Sequence, residues 1–416
     1  MTFASIANAQ SQKPGPPGSE LTIYLMTMGP GDEAWEKFGH NAIWIHDAVR
    51  QTDIAYNWGL FDFNAKDFYP RFLKGDMLYS MGGFDMQETV EAYRRANRTV
   101  WAQQLNLAPS EKDELRRYIE WNALPQNRNY NYDYFRDNCS TRVRDVLDRA
   151  LGGIIRSASD QALTQTTYRW HTRRLTQDVP WLYFGTLLGL GHPVDRPISR
   201  WEEMFLPVRL MTDLHDVQVR DSSGAMVPLV TKEMTLFQST RAPEGTYPKS
   251  HFIVYLAIGL LLGSLVIFLR RRAEAGTNSS RLYLLLFAGL WNLFTGVLGT
   301  ALAALWLMTN HVYSFRNENL FQANPLSLLL AILILASFRS RPDERIAGIE
   351  TARVARIVGG LAALGFVIQI LPSMNQVNGE IVALMMPVHV AIGFAFSRRE
   401  LPFFGDNTAP TTALTR

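Results

Sequence analysis

Asp137-Asn138-Cys139-Ser140-Thr141-Arg142 contains the only cysteine of the 416-residue chain, and its setting decides how the N-terminal part folds. Val143, Val146, Leu147, Ala150 and Leu151 follow at the spacing of one helix face. Asp137 or Asn138 can cap that helix, and Gly152-Gly153 ends it. Cys139 then occupies the first turn, where unpaired backbone N–H groups and the positive end of the helix dipole favour a thiolate. A lowered pKa and a nucleophilic sulfur are expected there. The alternative is a structural cysteine, since free Cys is among the most buried residue types.

A nucleophilic thiol needs a base, and the chain offers eight histidines. His40 stands in Phe38-Gly39-His40-Asn41-Ala42-Ile43-Trp44-Ile45-His46, a stretch rich in strand formers, and Tyr56-Asn57-Trp58-Gly59 reads as the end of the next strand. His40, Ala42, Trp44 and His46 share one face. An imidazole on a sheet facing a cysteine at a helix start is a papain-type arrangement, in which the ring takes the thiol proton and later returns it to the leaving group. A strand histidine is also often a hydrogen-bonded structural residue, and His46 is read that way.

Phe38-Gly39-His40, Tyr56-Asn57-Trp58-Gly59, Asn127-Arg128-Asn129-Tyr130, Tyr134-Phe135, Asp137 to Arg142 and Phe205-Leu206-Pro207 together resemble the Lnb family of bacterial lipoprotein N-acyltransferases. The resemblance runs from about Leu21 to Arg399. It implies an α+β, circularly permuted papain-like periplasmic domain of the NlpC and lecithin–retinol acyltransferase type, followed by an all-α five-helix transmembrane domain in the bacterial inner membrane. The His-before-Cys order matches the permuted subgroup. The implied reaction moves an acyl chain from a phospholipid to Cys139 as a thioester, then to the α-amine of a diacylglyceryl-cysteine lipoprotein. An α-amino pKa of about 8 leaves a usable neutral fraction near pH 7, and His40 accepts the proton released. By position, Asn57 orients His40 and the backbone N–H groups at the helix start hold the oxyanion. Asn138, Ser140 and Arg142 are assigned to substrate binding. Two other readings stay open: a membrane-tethered cysteine peptidase or amidase acting on cell-wall peptide, for which one span would suffice, and an inactive lipoprotein-binding scaffold, which the presence of both His40 and Cys139 disfavours.

Composition changes sharply near His251. Before it, strands are expected near Leu21–Met28, His40–Ile45, Met77–Met81 and Val100–Leu107, with helices near Met86–Asn97, Glu111–Leu124 and Cys139–Leu151. After it come five apolar stretches close to the ~20 residues that cross a bilayer: Phe252–Leu269, Leu282–Met308, Pro325–Phe338, Ile357–Leu371 and Ile381–Phe396, the last containing Pro387. The expected organisation is a signal-peptide remnant or disordered tail at 1–19, a catalytic domain at 20–250, a membrane domain at 251–400 and a cytoplasmic tail at 401–416. Trp181–Leu190 is too short to span and reads as a core helix or an interfacial segment.

Charge orients the membrane domain. Arg270, Arg271, Arg272 and Arg281 follow the first stretch, Arg339, Arg341, Arg345, Arg353 and Arg356 the third, and Arg398 and Arg399 the fifth. Thr309–Asn324 holds only Arg316 and Pro372–Glu380 holds no basic residue. The positive-inside rule puts the basic segments in the cytoplasm and the residues before His251 outside. Ala7-Asn8-Ala9 matches a signal-peptidase site, as export would require. The polar loop Thr309–Leu320 then emerges on the catalytic side, with His311, Arg316 and Asn319 as candidate headgroup ligands. A formal net charge of +3 at 19% charged residues points to no nucleic-acid partner, and no metal-ligand spacing, phosphate-binding loop or repeat is present, so neither metal nor cofactor is expected.

Overall fold

The computed structural model describes residues 15–221, 223–337 and 350–397. The Ala7-Asn8-Ala9 motif, Arg339, Arg341, Arg345, Arg398, Arg399 and the tail at 401–416 lie outside the described residues. The chain forms two compact units. The first comprises the residues up to Phe72, Asp76–Thr166 and Pro197–Glu244; the second comprises Leu73–Gly75, Thr167–Arg196 and the residues from Gly245 on.

The first unit is built on a seven-stranded antiparallel sheet. Its strands are β1 (Leu21–Met28), β2 (His40–Asp47), β3 (Thr52–Leu60), β4 (Leu78–Asp85), β5 (Val100–Leu105), β6 (Asn129–Asn131) and β9 (Val230–Phe237), in the order β6-β4-β3-β2-β1-β5-β9. β7 (Gln218–Arg220) and β8 (Met226–Pro228) form a separate ribbon. The helices are α1 (Phe68–Lys74), α2 (Met86–Arg95), α3 (Pro109–Asn122), α4 (Cys139–Ala150) and α5 (Ile154–Ser159), with α6 (Tyr168–Thr176) and α7 (Pro180–Gly189) in the second unit, then α8 (Arg200–Glu203) and α9 (Pro207–Asp213) back in the first.

β1 is apolar at nearly every position because both of its faces are covered. Leu21, Ile23 and Leu25 pack with Leu115 and Ile119 of α3 and Val143 and Leu147 of α4. Met26 and Met28, on the other face, pack with Ala42, Ala55 and Val100 beneath Val90 and Tyr93. α4 therefore lies across one face of the sheet, with its first turn at the end of β2 where His40 begins.

Among its described residues the second unit holds five helices long and apolar enough to cross a membrane: Phe252–Glu274 (α10), Asn278–Met308 (α11), Glu318–Ala336 with α12 at Leu326–Ala336, Thr351–Ile370 with α13 at Thr351–Val367, and Gly379–Ser397 (α14). The third begins at Glu318, through a 3-10 turn, earlier than the expected Pro325. The fourth begins at Thr351, which brings Arg353 and Arg356 into helix. Pro387 lies inside α14 without ending it. The helices meet through small residues: a Cβ on Gly263 would stand 2.9 Å from the Pro387 carbonyl oxygen, and Gly359 faces Gly393.

Thr167–Arg196, which precedes the first span, groups with the helices of the second unit. The reason is α7, whose Tyr183, Leu187 and Leu188 are buried with Leu302, Ala323, Ile381 and Met385, while Trp181 faces out. Of the two readings of Trp181–Leu190, this is the core helix. Asn319 Nδ2 donates to the carbonyls of Leu187 and Leu188, and Asn317 Nδ2 to those of Leu188 and Gly189, satisfying the open C-terminal end of α7. Nearby, buried Arg169 donates to Asp195 from Nε at 2.6 Å and from its terminal nitrogen at 3.1 Å. Removing the guanidinium strands a buried carboxylate. Arg169→Met is therefore expected to destabilise this unit by about 3–5 kcal/mol, read as a lowered thermal midpoint of the full chain in detergent, with Arg169→Met/Asp195→Leu recovering most of the loss.

Candidate active site

Asn138 caps α4: its Oδ1 accepts from the N–H groups of Ser140 and Thr141, both at 2.9 Å, and Thr141 Oγ1 accepts from the Asn138 N–H in return. Its Nδ2 donates to the carbonyls of Tyr134 and Phe205. Ser140 is fully buried, and its hydroxyl is engaged with Asn41 Oδ1 at 2.8 Å and the Met204 carbonyl at 2.7 Å. Ser140 ties the start of α4 to β2, and Asn138 ties it to the Tyr134 and Phe205 carbonyls, so the polar atoms of both residues are engaged inside the fold.

Cys139 is a free thiol at a partly exposed position. The backbone N–H groups of Asn41, Ser140 and Cys139 itself are directed at its sulfur. Gly59 of β3 lies against Cys139, at φ +91° in a backbone region that other residues avoid, and a Cβ there would be in ordinary contact with Cys139 Cβ at 3.6 Å. Tyr130 flanks the thiol from β6. Its hydroxyl, 4.0 Å from the same Gly59 Cβ position, is buried without a hydrogen-bond partner among the described residues. Arg142 lies over the Tyr130 ring at 4.2 Å and is clamped by the Asp137 carboxylate.

His40 Nε2 is 3.0 Å from Asn57 Oδ1, and Asn57 Nδ2 donates to the Ala55 carbonyl. With its amide nitrogen so engaged, Asn57 presents an acceptor, which requires the imidazole proton on Nε2 and leaves Nδ1 with the lone pair. His46, on the same face, binds Asp53 at 3.0 Å, as its structural reading implied. Burial and the Arg98 guanidinium push the His40 pKa down to about 4. Arg98 is itself buried, donating to the Gly29 carbonyl and to Glu36 while lying over Tyr93 at 4.7 Å, whose ring stacks on His40.

The Cys139 thiol is pushed up from its ordinary value by burial, against the N–H groups and Arg98, which favour the thiolate. This reverses the lowered pKa expected from the helix start. Desolvation is the largest contribution, and the N–H groups and Arg98 offset only part of it. Near pH 7 both the Cys139 thiol and the His40 imidazole are therefore neutral.

His311, Arg316 and Asn319 belong to the second unit. His311 precedes the 3-10 turn Val312–Ser314, Arg316 donates to the Ser373 carbonyl with its backbone at φ +49°, and Asn319 is fully buried as the brace of α7. Asn319 is therefore unavailable to a headgroup. Sequence reasoning missed Arg98, which sits in an unremarkable Asn97-Arg98-Thr99 turn. It placed Tyr130 in a motif but gave it no role.

A sheet-rich domain with a thiol at a helix start and an oriented imidazole on a strand, followed by five candidate spans, defines a multi-pass membrane protein with an extramembrane thiol site. Its affinity is narrower than that: residues 16–175 match the family model of the Lnb N-terminal periplasmic domain. The match includes both His40 and Cys139 and bears out the resemblance read from the motifs. No curated protein and no solved structure matches the chain.

Proposed function

We propose that the chain is a lipoprotein N-acyltransferase of the bacterial inner membrane, its permuted papain-like domain periplasmic, with a phospholipid as acyl donor and a diacylated lipoprotein as acceptor. The observation that carries this reading is His40, held by Asn57, next in the chain to Asn41, whose backbone N–H is directed at the Cys139 sulfur, within an Lnb-type domain. As the sulfur attacks the ester carbonyl, His40 Nδ1 takes the thiol proton. The oxyanion is held by the Cys139 N–H and by the unpartnered Tyr130 hydroxyl. Collapse breaks the ester C–O bond, His40 returns the proton to the departing lysophospholipid, and the acyl group remains as a thioester. The acceptor α-amine attacks next, His40 removes its extra proton, and the C–S bond breaks to give amide and thiol. A neutral pair suits this cycle, because an imidazolium could not accept the proton of the incoming amine. In the second unit, Arg316 and His311 are the groups proposed for a headgroup phosphate, and in the first unit Arg142 keeps its proposed part in substrate binding.

The test is mass spectrometry of lipoprotein N-termini from cells with and without the protein. An added acyl amide that depends on the chain is expected. Unchanged lipoproteins together with altered cell-wall peptides would favour the peptidase reading.

A further inference from the structure

Gly59 beside Cys139 leads directly into Leu60 and Phe61 at the end of β3, and there the first unit opens into a pocket of about 260 Å³. Its apolar walls are Leu60, Phe61, Phe68, Phe72, Met77 and Tyr79. The rings form an unbroken chain back toward the thiol. Phe68 is 6.2 Å from Phe61, Phe61 is 5.2 Å from Tyr79, and Tyr79 stacks on Tyr132 at 4.2 Å, next to Tyr130 on β6. Outward, Phe63 packs on Phe61 and Phe68, and both Phe63 and Tyr69 are exposed. The segment carrying Phe68, Tyr69 and Phe72, α1, has no buried residue at all.

A soluble fold gains nothing from a solvent-facing aromatic trough of this kind, whereas a hydrocarbon laid in it would be removed from water along its length. We propose that this trough is the acyl-chain subsite of the site at Cys139: the ester carbonyl sits at the sulfur, and the first part of the fatty chain runs past Tyr132 and Tyr79 into the pocket between Phe61 and Phe68. The proposal rests on the transferase reading above. The pocket is smaller than the ~300–1,000 Å³ of complete small-molecule sites, so it takes a stretch of chain and not a whole lipid. Asp62, Asp67 and Arg71 also line the pocket.

Two opposite changes test this. Ala65 lines the pocket from an exposed turn, so Ala65→Trp fills it without disturbing the core. Phe68→Ser removes an apolar wall. The full chain, purified in detergent, is mixed with vesicles of phosphatidylethanolamine carrying acyl chains of graded length, and the hydroxylamine-labile acyl group on Cys139 is read by intact-protein mass spectrometry. Ala65→Trp is expected to shift loading toward shorter chains by roughly fourfold per methylene excluded, the factor set by about 0.8 kcal/mol per buried CH₂. Phe68→Ser is expected to lower loading of long chains about tenfold or more, while iodoacetamide still alkylates Cys139 and so reports an intact domain. Both variants loading the same lengths as the wild type at the same rate would overturn the subsite alone. A wild-type Cys139 that takes no acyl group from any chain length would overturn the transferase reading, and the subsite with it.

Discussion

Cys139→Ala is expected to abolish N-acylation outright, and His40→Ala to lower it by about 10²- to 10⁴-fold, the usual worth of a positioned general base. Neither change should unfold the protein. Cys139 and His40 are both partly exposed, and α4 is held to β2 by the Ser140–Asn41 hydrogen bond and to Phe205 by Asn138. The pH dependence distinguishes this site from an ion-pair cysteine enzyme. A thiolate–imidazolium pair reacts with iodoacetamide at a rate already on its plateau at neutral pH. Here burial raises the thiol above its ordinary value, so the rate in the free protein should climb about tenfold per pH unit from pH 6 past pH 9. His40, lowered to about 4, stays neutral and competent as a base well below pH 6 and is lost only as pH falls toward that value. The acid limb of kcat/KM should therefore lie near pH 4, two units or more below the usual histidine range of about 6.5. An alkylation plateau at pH 7 would contradict the neutral-pair mechanism.

Much of the scaffold is legible in residue spacing, and the electrostatics of the site are not. β1 at Leu21–Met28 and the start of α4 at Cys139 stand where apolar periodicity and the Asn138 cap place them, because both depend on local chemistry alone. Asn57 was assigned by position, and its contact with His40 follows from two neighbouring strands in register, Ala42 opposite Asn57. The thiol's acidity is a different kind of quantity. It is a balance between a helix end, which the sequence displays, and burial, where Tyr130 and Tyr132 from the preceding segment and Tyr93 from α2 become near neighbours only once the chain has folded. Arg98 is invisible for the same reason: its influence on both His40 and Cys139 exists only after β5 has paired with β1. α7 shows the limit in the opposite direction. Ten apolar residues announce burial but not the partner, and the partner is a set of helices more than a hundred residues downstream.

Opposite accessibility of Asn375 and Ala275 is the second large effect expected, because Cys139 is the chain's only thiol and a single new cysteine can be read without interference. In a Cys139→Ala background, Asn375→Cys should react with a membrane-impermeant maleimide in cells whose outer barrier is opened, and Ala275→Cys only after the inner membrane is breached. Two independent lines lead to this. Arg270, Arg271 and Arg272 close the first span, while the loop at Pro372–Glu380 carries no basic residue, and Lys/Arg bias sets orientation. The second line is geometric. Glu318 and Gln376 exchange hydrogen bonds at 2.8 and 3.1 Å, Arg316 donates to the Ser373 carbonyl, and Asn378 donates to Asn319. The loops after the second and fourth spans thus meet each other. Both also bind the Leu187–His192 stretch, which precedes every span in the chain. Segments so joined share one side of the bilayer, and that side is where the chain stands before its first crossing. Both residues are solvent-exposed, so a failure to label reports the membrane and not burial. The reverse pattern would place residues before His251, Cys139 among them, in the cytoplasm, away from any diacylated lipoprotein amine on the outer leaflet, and the acyl transfer proposed here would have no acceptor.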